Sequence, residues 1–528
     1  MKRFAFVAAL TACVVTLLSL ASAQDMSKKI LPTMRLELKS AVERTPEQMD
    51  AFAATAVIPG NREVPFRPTM DAAQYAQLKR AAELAPRAAS RPGANAPASP
   101  LAAVSTKFAG ASECDGGSGC WIPPDVAGSI GKSQFVSVSN DVFEVRSRTG
   151  VLLKTASLNG LFGYATQPMF DPRVQYDEEY QRWIITAAGF PESSTVQYLF
   201  IAVSKTSSAT GAFWMYRVNV TPIGGTGAFY DYPMLGISQD AVLFTANVFL
   251  ANNGFQGSSL FSLAKARIYN GFGQSFSVWT GNIATLEPAH QPLTDQNSYS
   301  WLAAAPGNSG AIYMYALQSA SDPTFQFLFG PYPVTGVTAY TFPPSAAQPA
   351  ACGGARLDTL DNRFQNAGTQ AGDLYYQVHT VTDIFTAIPA PRYYIISGLL
   401  SFTPTVSVQA DIWASSTSYD FNPSIAADPA GRLGVNWSVT DPPNGVNPSE
   451  HFADNNGGNP SGATGINVFT GASCYNTGAP QRWGDYSQVS VDPGPGAVSS
   501  TTTKVFWIDN ETVPSLNSWS TEIAKIAY

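Results

Sequence analysis

Five aspartates recur in similar company along this chain. Asp125, Asp171, Asp231, Asp358 and Asp485 each open a short apolar stretch, with Arg173, Arg356, Arg482, Tyr232 and Tyr486 near them in sequence. Carboxylates brought together in pairs split glycosidic bonds at neutral pH when their surroundings push their pKa values apart. Arginines and tyrosines beside them would line a polar, aromatic funnel suited to a sugar or, through the same oxygens, to calcium. The competing role is structural. An Asp ahead of Pro or Tyr at a strand start hydrogen-bonds its own turn, and a residue repeated in every unit of a repeat fold tends to hold the units. These residues are therefore candidate contacts at a channel mouth, with no catalytic residue assigned and no resident cofactor implied.

Other chemistries find little support. The chain has no G-x-S-x-G elbow, no H-E-x-x-H pair, no P-loop and no dinucleotide fingerprint. Its three histidines, His290, His379 and His451, are scattered and there is no C-x-x-C, which argues against zinc. Asp454-Asn455-Asn456-Gly457-Gly458-Asn459 resembles half of a calcium loop but lacks the downstream Glu, so it reads as a surface turn.

The elements that must position these residues are strands. Phe135–Ser139, Val142–Val145, Tyr198–Val203, Ala241–Asn247, Ala311–Leu317, Leu374–His379, Tyr393–Ile396, Leu433–Val439 and Lys504–Ile508 are short, β-branched or aromatic, and punctuated by Gly, Asn, Asp or Pro. Beneath them lies a repeat. Openings at 125, 171, 231, 295, 358, 422 and 485 are spaced by 46, 60, 64, 63, 64 and 63 residues. A unit of about 60 residues holds four short strands with generous loops, which is a propeller blade. The reading is all-β, a seven-bladed β-propeller over 106–528. Trp183 and Trp483, each after an Arg, are expected to pack between blades. The stretch from Asp441 to Gly478 reads as a long insertion suited to specificity.

Composition changes near residue 105. Residues 24–105 carry 11 basic and 8 acidic residues and no Trp, whereas 106–528 carry 18 basic and 30 acidic residues and all ten Trp. Residues 1–23 have a basic start, an apolar run and Ala21-Ser22-Ala23, which predicts a signal peptide cleaved before Gln24 and a secreted or periplasmic chain. Residues 24–86 read as a helical or propeptide-like leader. Thr45-Pro46-Glu47-Gln48 and Asp71-Ala72-Ala73-Gln74 supply its two helix starts. Residues 87–105 read as an Ala/Pro-rich linker. Four cysteines follow the signal, and in an exported chain they predict disulfides: Cys114 with Cys120 around a glycine-rich loop, and by elimination Cys352 with Cys474. A net charge of −7 argues against nucleic acid, and no stretch after the signal is long and apolar enough to span a membrane.

Several stretches also resemble a family of secreted bacterial β-propeller proteins of the sialidase or WD40 kind. They are Pro123–Gly128 with Phe143–Arg146, Asp171–Trp183, Ala202–Thr206, Asp231–Gly236, Leu357–Arg363, Asn422–Ile425 and Arg482–Ser487, spanning about residues 123–511. The resemblance implies the propeller and export and carries over no activity. True sialidases have a repeated S-x-D-x-G-x-T-W box and a Phe-Arg-Ile-Pro motif, and both are missing here. Two classes of function follow. One is a binding module that recognises a glycan, a peptide or an extracellular surface partner. The other is a carboxylate-dependent glycan hydrolase or lyase with its site at the channel mouth.

Overall fold

Short β-rich runs separated by turn residues can bury their apolar faces only by stacking sheet on sheet, and the computed structural model of the chain does this throughout. It describes residues 28–53, 62–64, 66–87, 91, 102–116, 119–189, 196–251, 254–282, 285–292, 295, 297–307, 309–456, 458–478, 481–494 and 505–527. The expected signal peptide and most of the expected linker lie outside the described residues. The architecture is all-β and propeller-like, built from antiparallel four-stranded meanders.

The innermost strands of these meanders are Ala127–Ile130, Met169–Asp177, Phe229–Ile237, Glu287–His290, Gly368–Ala371, Tyr419–Ala427 and Gln488–Val491. Three of them touch through short parallel pairings, Ile237 with His290 and Ala289–His290 with Gly368–Thr369. Apolar side chains fill the gaps between neighbouring meanders. Trp183 packs tilted against Tyr176 with ring centroids 4.6 Å apart, and Trp483 lies against Phe421 and Tyr475, so both pack in the core. Strand Ala103–Ser112 pairs with Ser518–Ala527 and thereby completes the last meander with the chain's earlier end. That strand runs straight across residue 105, where the composition changes.

The leader is more than helical. Lys29–Ile30, Met34–Leu38 and Val42–Arg44 are strands, and each adds antiparallel to the outer edge of a different meander, at Phe327–Pro333, Gln274–Gly281 and Phe213–Asn219 respectively. Exposed sheet edges carry unpaired N–H and C=O groups, and the leader covers three of them in turn. Helix α1 (Pro46–Ala53) follows, closed by a capping box in which the Gln48 N–H donates to Thr45 Oγ1 (3.4 Å) and the Thr45 N–H donates to Gln48 Oε1 (3.0 Å). Helix α2 (Ala72–Leu84) starts at Asp71, whose Oδ1 accepts the Gln74 N–H at 3.0 Å.

Two disulfides are present, Cys114–Cys120 and Cys352–Cys474. The stretch 441–478 departs from expectation. It is not a long loop: Val446–Asp454 and Ile466–Phe469 are the third and fourth strands of the meander that begins at Tyr419. Within it Asn456 N–H donates to Asp454 Oδ1 at 2.6 Å, a tight turn.

Candidate functional site

The repeat that runs through the sequence marks a kink in the backbone. In three innermost strands the register slips by one residue, at Asp171-Pro172, Tyr232-Pro233 and Asn422-Pro423. The first residue of each pair has positive φ: 50° at Asp171, 57° at Tyr232 and 48° at Asn422. Asp125 (48°) and Leu360 (53°) share the conformation. Asp and Asn tolerate it because their short side chains hydrogen-bond locally, whereas Tyr232 is strained and must be held by its surroundings. The fourth member is Thr285 (43°), two residues before Glu287, rather than Asp295, which follows that strand. Asp231 and Asp358 likewise precede the kinked residue by one and two positions.

The kinks aim side chains at the neighbouring strand. Asp125 Oδ1 accepts the Asp485 N–H at 2.7 Å and its Oδ2 accepts Asn140 Nδ2 at 2.8 Å. Asn140 Oδ1 accepts the Asp171 N–H at 2.9 Å, and Asp171 Oδ2 accepts the Tyr232 N–H at 3.1 Å. Tyr232 Oη and Gln365 Nε2 both donate to the Asp485 carbonyl, at 3.2 and 2.9 Å. Gln365 Nε2 also reaches Asn422 Oδ1 at 2.8 Å, and Asn422 Nδ2 donates to the Gly484 carbonyl. The result is a belt of side chain-to-backbone bonds that ties successive innermost strands together around the channel. Of the candidate residues, Asp125, Asp171, Arg173, Asp231, Tyr232, Asp358, Arg482, Asp485 and Tyr486 are all buried at this end. Arg356 stands apart on the surface, donating to the Ser345 carbonyl at 3.3 Å.

Burial sets the charge state of the belt. It pushes Asp125 up to about 7, with the Asp485 carboxylate adding to the rise. Burial, followed by Asp125, Asp231 and Asp485, lifts Asp171 well above the usual carboxylate range. Asp231 and Asp485 are also raised by burial, against Arg67 and Arg482 respectively. Asp361 goes the other way: burial would raise it, but Arg363 chelates it through two 2.7 Å bonds and holds it below the ordinary value.

Sequence reasoning passed over Glu287, a fully buried acid on the innermost strand Glu287–His290 that burial pushes up to about 8. A carboxyl raised in the folded state stabilises the fold only at low pH, and that contribution is lost as pH rises through the folded value. Unfolding measured in denaturant is therefore expected to show Glu287→Gln gaining on the wild type between pH 6 and pH 9, by on the order of 2–3 kcal/mol. A gap that stays constant with pH would show that Glu287 does not titrate this way.

Arg173 divides the channel. Its guanidinium lies 3.2 Å from the centroid of the Tyr486 ring and donates to Pro233 O, Asn366 Oδ1 and Gln365 O at 3.1–3.2 Å. Beyond it the channel opens to solvent at the far ends of the innermost strands. Every innermost strand contributes to the wall of this narrow cavity. Ser129, Gln175, Asn366, Thr369, Ser424, Gln488 and Ser490 give it uncharged polar groups, Ile130, Val174, Leu235, Ile425 and Val489 are among its apolar ones, and Arg173, His290, Glu178 and Asp428 among its charged or titratable ones. Innermost strands Ala127–Ile130, Met169–Asp177, Tyr419–Ala427 and Gln488–Val491 each end their sheets. Side chains of neighbouring strands take up part of these edges: Ser129 Oγ accepts the Tyr176 N–H, Thr369 Oγ1 the Ala427 N–H, and Gln488 Nε2 donates to the Val174 carbonyl. Such a wall can hydrogen-bond hydroxyl groups or an extended peptide.

At the opposite end the leader crosses the belt. Val64 O accepts Arg482 Nη1 at 2.9 Å, Phe66 packs on Tyr232, Met234, Leu360 and Tyr486, and Lys79 Nζ donates to Thr359 Oγ1 at 2.8 Å. The belt carboxylates thus sit under the leader with their oxygens given to backbone amides and arginines. That arrangement holds blades together; a hydrolytic pair would need an open approach to a sugar.

Fold and site together define an all-β, propeller-like protein with a polar axial cavity. No family model matches the chain, and no curated protein does. Solved structures with a distant likeness include an apocarotenoid oxygenase variant of Synechocystis, at 9% identity, covering 65% of this chain and 74% of that one, with a TM-score of 0.36. An exo-beta-1,3-galactanase from Phanerochaete chrysosporium is 10% identical over 80% of this chain and 99% of that one, with a TM-score of 0.29. A sialidase from Trypanosoma rangeli is 8% identical over 74% and 57% of the two chains, with a TM-score of 0.34. Likenesses at this level lend no weight to a particular activity. Among the described residues, no helix is long and apolar enough to cross a membrane.

Proposed function

We propose that the chain is an exported binding module, a seven-bladed propeller that receives the end of a glycan chain or an extended peptide in the open end of its axial cavity. The blade count follows from taking each innermost strand, with the meander behind it, as one blade. Export rests on the signal-like residues 1–23 and on the two disulfides. The single observation that carries the binding reading is the open-ended axial cavity walled by all the innermost strands and mostly uncharged. Walls that mix neutral polar with apolar groups favour ligands rich in hydroxyls or amides over phosphates or polyanions.

A glycan array joined to a polysaccharide-degradation screen tests this on the purified mature chain, with and without calcium. The expected outcome is retention on one class of glycan, or of peptide in a parallel array, without product release. Product release would make the protein a glycan-processing enzyme and overturn the binding reading. Silence on every sugar and peptide would overturn the assignment of the cavity as a ligand site.

A further inference from the structure

Arg173, at the inner end of the open cavity, is a buried cation without a counter-charge beside it. It lines that cavity and is 4% exposed. Its three acceptors are neutral, the carbonyls of Pro233 and Gln365 and Asn366 Oδ1. Among the described residues no carboxylate forms an ion pair with it. Asp171 and Glu287 feel its charge from farther off, and burial lifts both toward the protonated form. The Tyr486 ring against the guanidinium offsets part of the cost of enclosing it. A guanidinium has five N–H groups; three are used here, which leaves one on each terminal nitrogen. Two other groups of the same wall also lack partners, Ser490 Oγ and His290 Nδ1. Toward the mouth the sign reverses: Glu178 is half-buried there, and Asp428 is already tied to Arg432.

We infer that the open cavity takes the C-terminal end of a peptide, carboxylate first, and that Arg173 is the residue that pairs with it. This rests on the reading of the cavity as a ligand site and names which ligand enters. A carboxylate would supply the missing counter-charge in the planar fork geometry that a guanidinium matches, which a hydroxyl or an amide would not. Arg173 and Glu178 are five residues apart, on strand Met169–Asp177 and just past its end, a distance of about 16 Å at the rise of a strand. An extended peptide has the same rise, so about four or five of its last residues would reach from mouth to floor. The Glu178 carboxylate at the mouth repels a ligand that carries further negative charge, which fits one terminal carboxylate on a neutral or basic chain.

The test uses the purified mature chain. A pool of synthetic hexapeptides tethered by the N-terminus is presented with free C-terminal carboxylates and, in parallel, as C-terminal amides. The same surface carries neutral and uronate-terminated oligosaccharides. Retention on the free acids that falls about tenfold or more on the amides is expected, because amidation removes the charge-assisted pair. Equal retention on acids and amides, or retention on neutral sugars alone, would keep the cavity as a ligand site and overturn the carboxylate inference. Retention on uronates without peptides would overturn the peptide as the ligand. Silence on every probe would overturn the inference together with the reading of the cavity on which it rests. A folded Arg173→Met protein is expected to hold acids and amides alike, at the level of the amides, and discrimination that survives the substitution overturns the role given to Arg173. Should that variant fail to fold, the comparison of acids with amides on the wild type decides alone.

Discussion

Arg91→Ala is expected to destabilise the protein by about 3–5 kcal/mol, a large share of the stability of an ordinary domain. Arg91 is a peg driven into the propeller from the stretch read as a linker. Its Nε meets Asp383 Oδ2 at 3.0 Å and its Nη1 meets Asp420 Oδ2 at 3.1 Å, with all three side chains fully enclosed. Its remaining donors go to the carbonyls of Ser418 (2.8 Å), Pro389 (2.9 Å) and Ser415 (3.3 Å). Removing the guanidinium strands two buried carboxylates. Burial already raises Asp420, with Arg91 the main influence holding it down. Without Arg91 the native state takes up protons that the unfolded chain does not, so the loss should be larger at pH 8 than at pH 5. Denaturant unfolding at both pH values checks this. A loss below about 1 kcal/mol, typical of a surface pair, would show that the peg is not buried as described.

The second large effect concerns the long disulfide. Cys352 and Cys474 are separated by 122 residues, whereas Cys114 and Cys120 are separated by 6. Constraint of the unfolded chain grows with the logarithm of the closed loop, giving about 5 kcal/mol for the long loop and about 2 kcal/mol for the short one. The long bridge also fixes the place where Gln348 and Tyr475 exchange bonds, Gln348 Nε2 to Tyr475 O at 2.7 Å and Tyr475 N–H to Gln348 Oε1 at 2.9 Å. Replacing Cys352 and Cys474 by Ser is therefore expected to cost roughly twice what replacing Cys114 and Cys120 costs, read from denaturant midpoints. A reversed order would contradict this account of what the long bridge does.

Much of the architecture was legible because strands announce themselves by β-branched and aromatic runs between turn residues, and because the kinked Asp-Pro, Tyr-Pro and Asn-Pro pairs repeat. The phase of the repeat was less legible. Asp295 keeps an even beat of about 63 residues, yet the equivalent position is Thr285, since the kink needs a backbone conformation and a Thr can adopt it under constraint. The leader strands were missed for a different reason. Lys29–Ile30 and Val42–Arg44 are two and three residues long, and strands that short form only because an edge is waiting for them. Their partners lie 169 to 300 residues away in sequence, from Arg44↔Phe213 to Lys29↔Phe329.

The candidate site was legible as a set of residues and not as a role. Asp125, Asp171 and Asp485 do converge, but Asp125 and Asp171 accept the backbone N–H groups of Asp485 and Tyr232 while Asp485 holds the Arg482 guanidinium, a fact of three-dimensional register. Lys79 and Glu287 carry no local signal at all. The open cavity could not be read because its wall is assembled from strands that lie far apart in sequence, from Ser129 to Pro493.

The most direct test of the central claim, that ligand enters the open end and the aspartate belt serves the fold, compares retention on the glycan and peptide arrays for two variants. Ala367 lies half-buried in the wall of the open cavity, and Ala367→Trp would fill the passage. Retention by the wild type that Ala367→Trp abolishes at unchanged melting temperature, with no product released, is the expected result. Retention indifferent to Ala367→Trp, or turnover that Asp171→Asn abolishes in a folded protein, would contradict it.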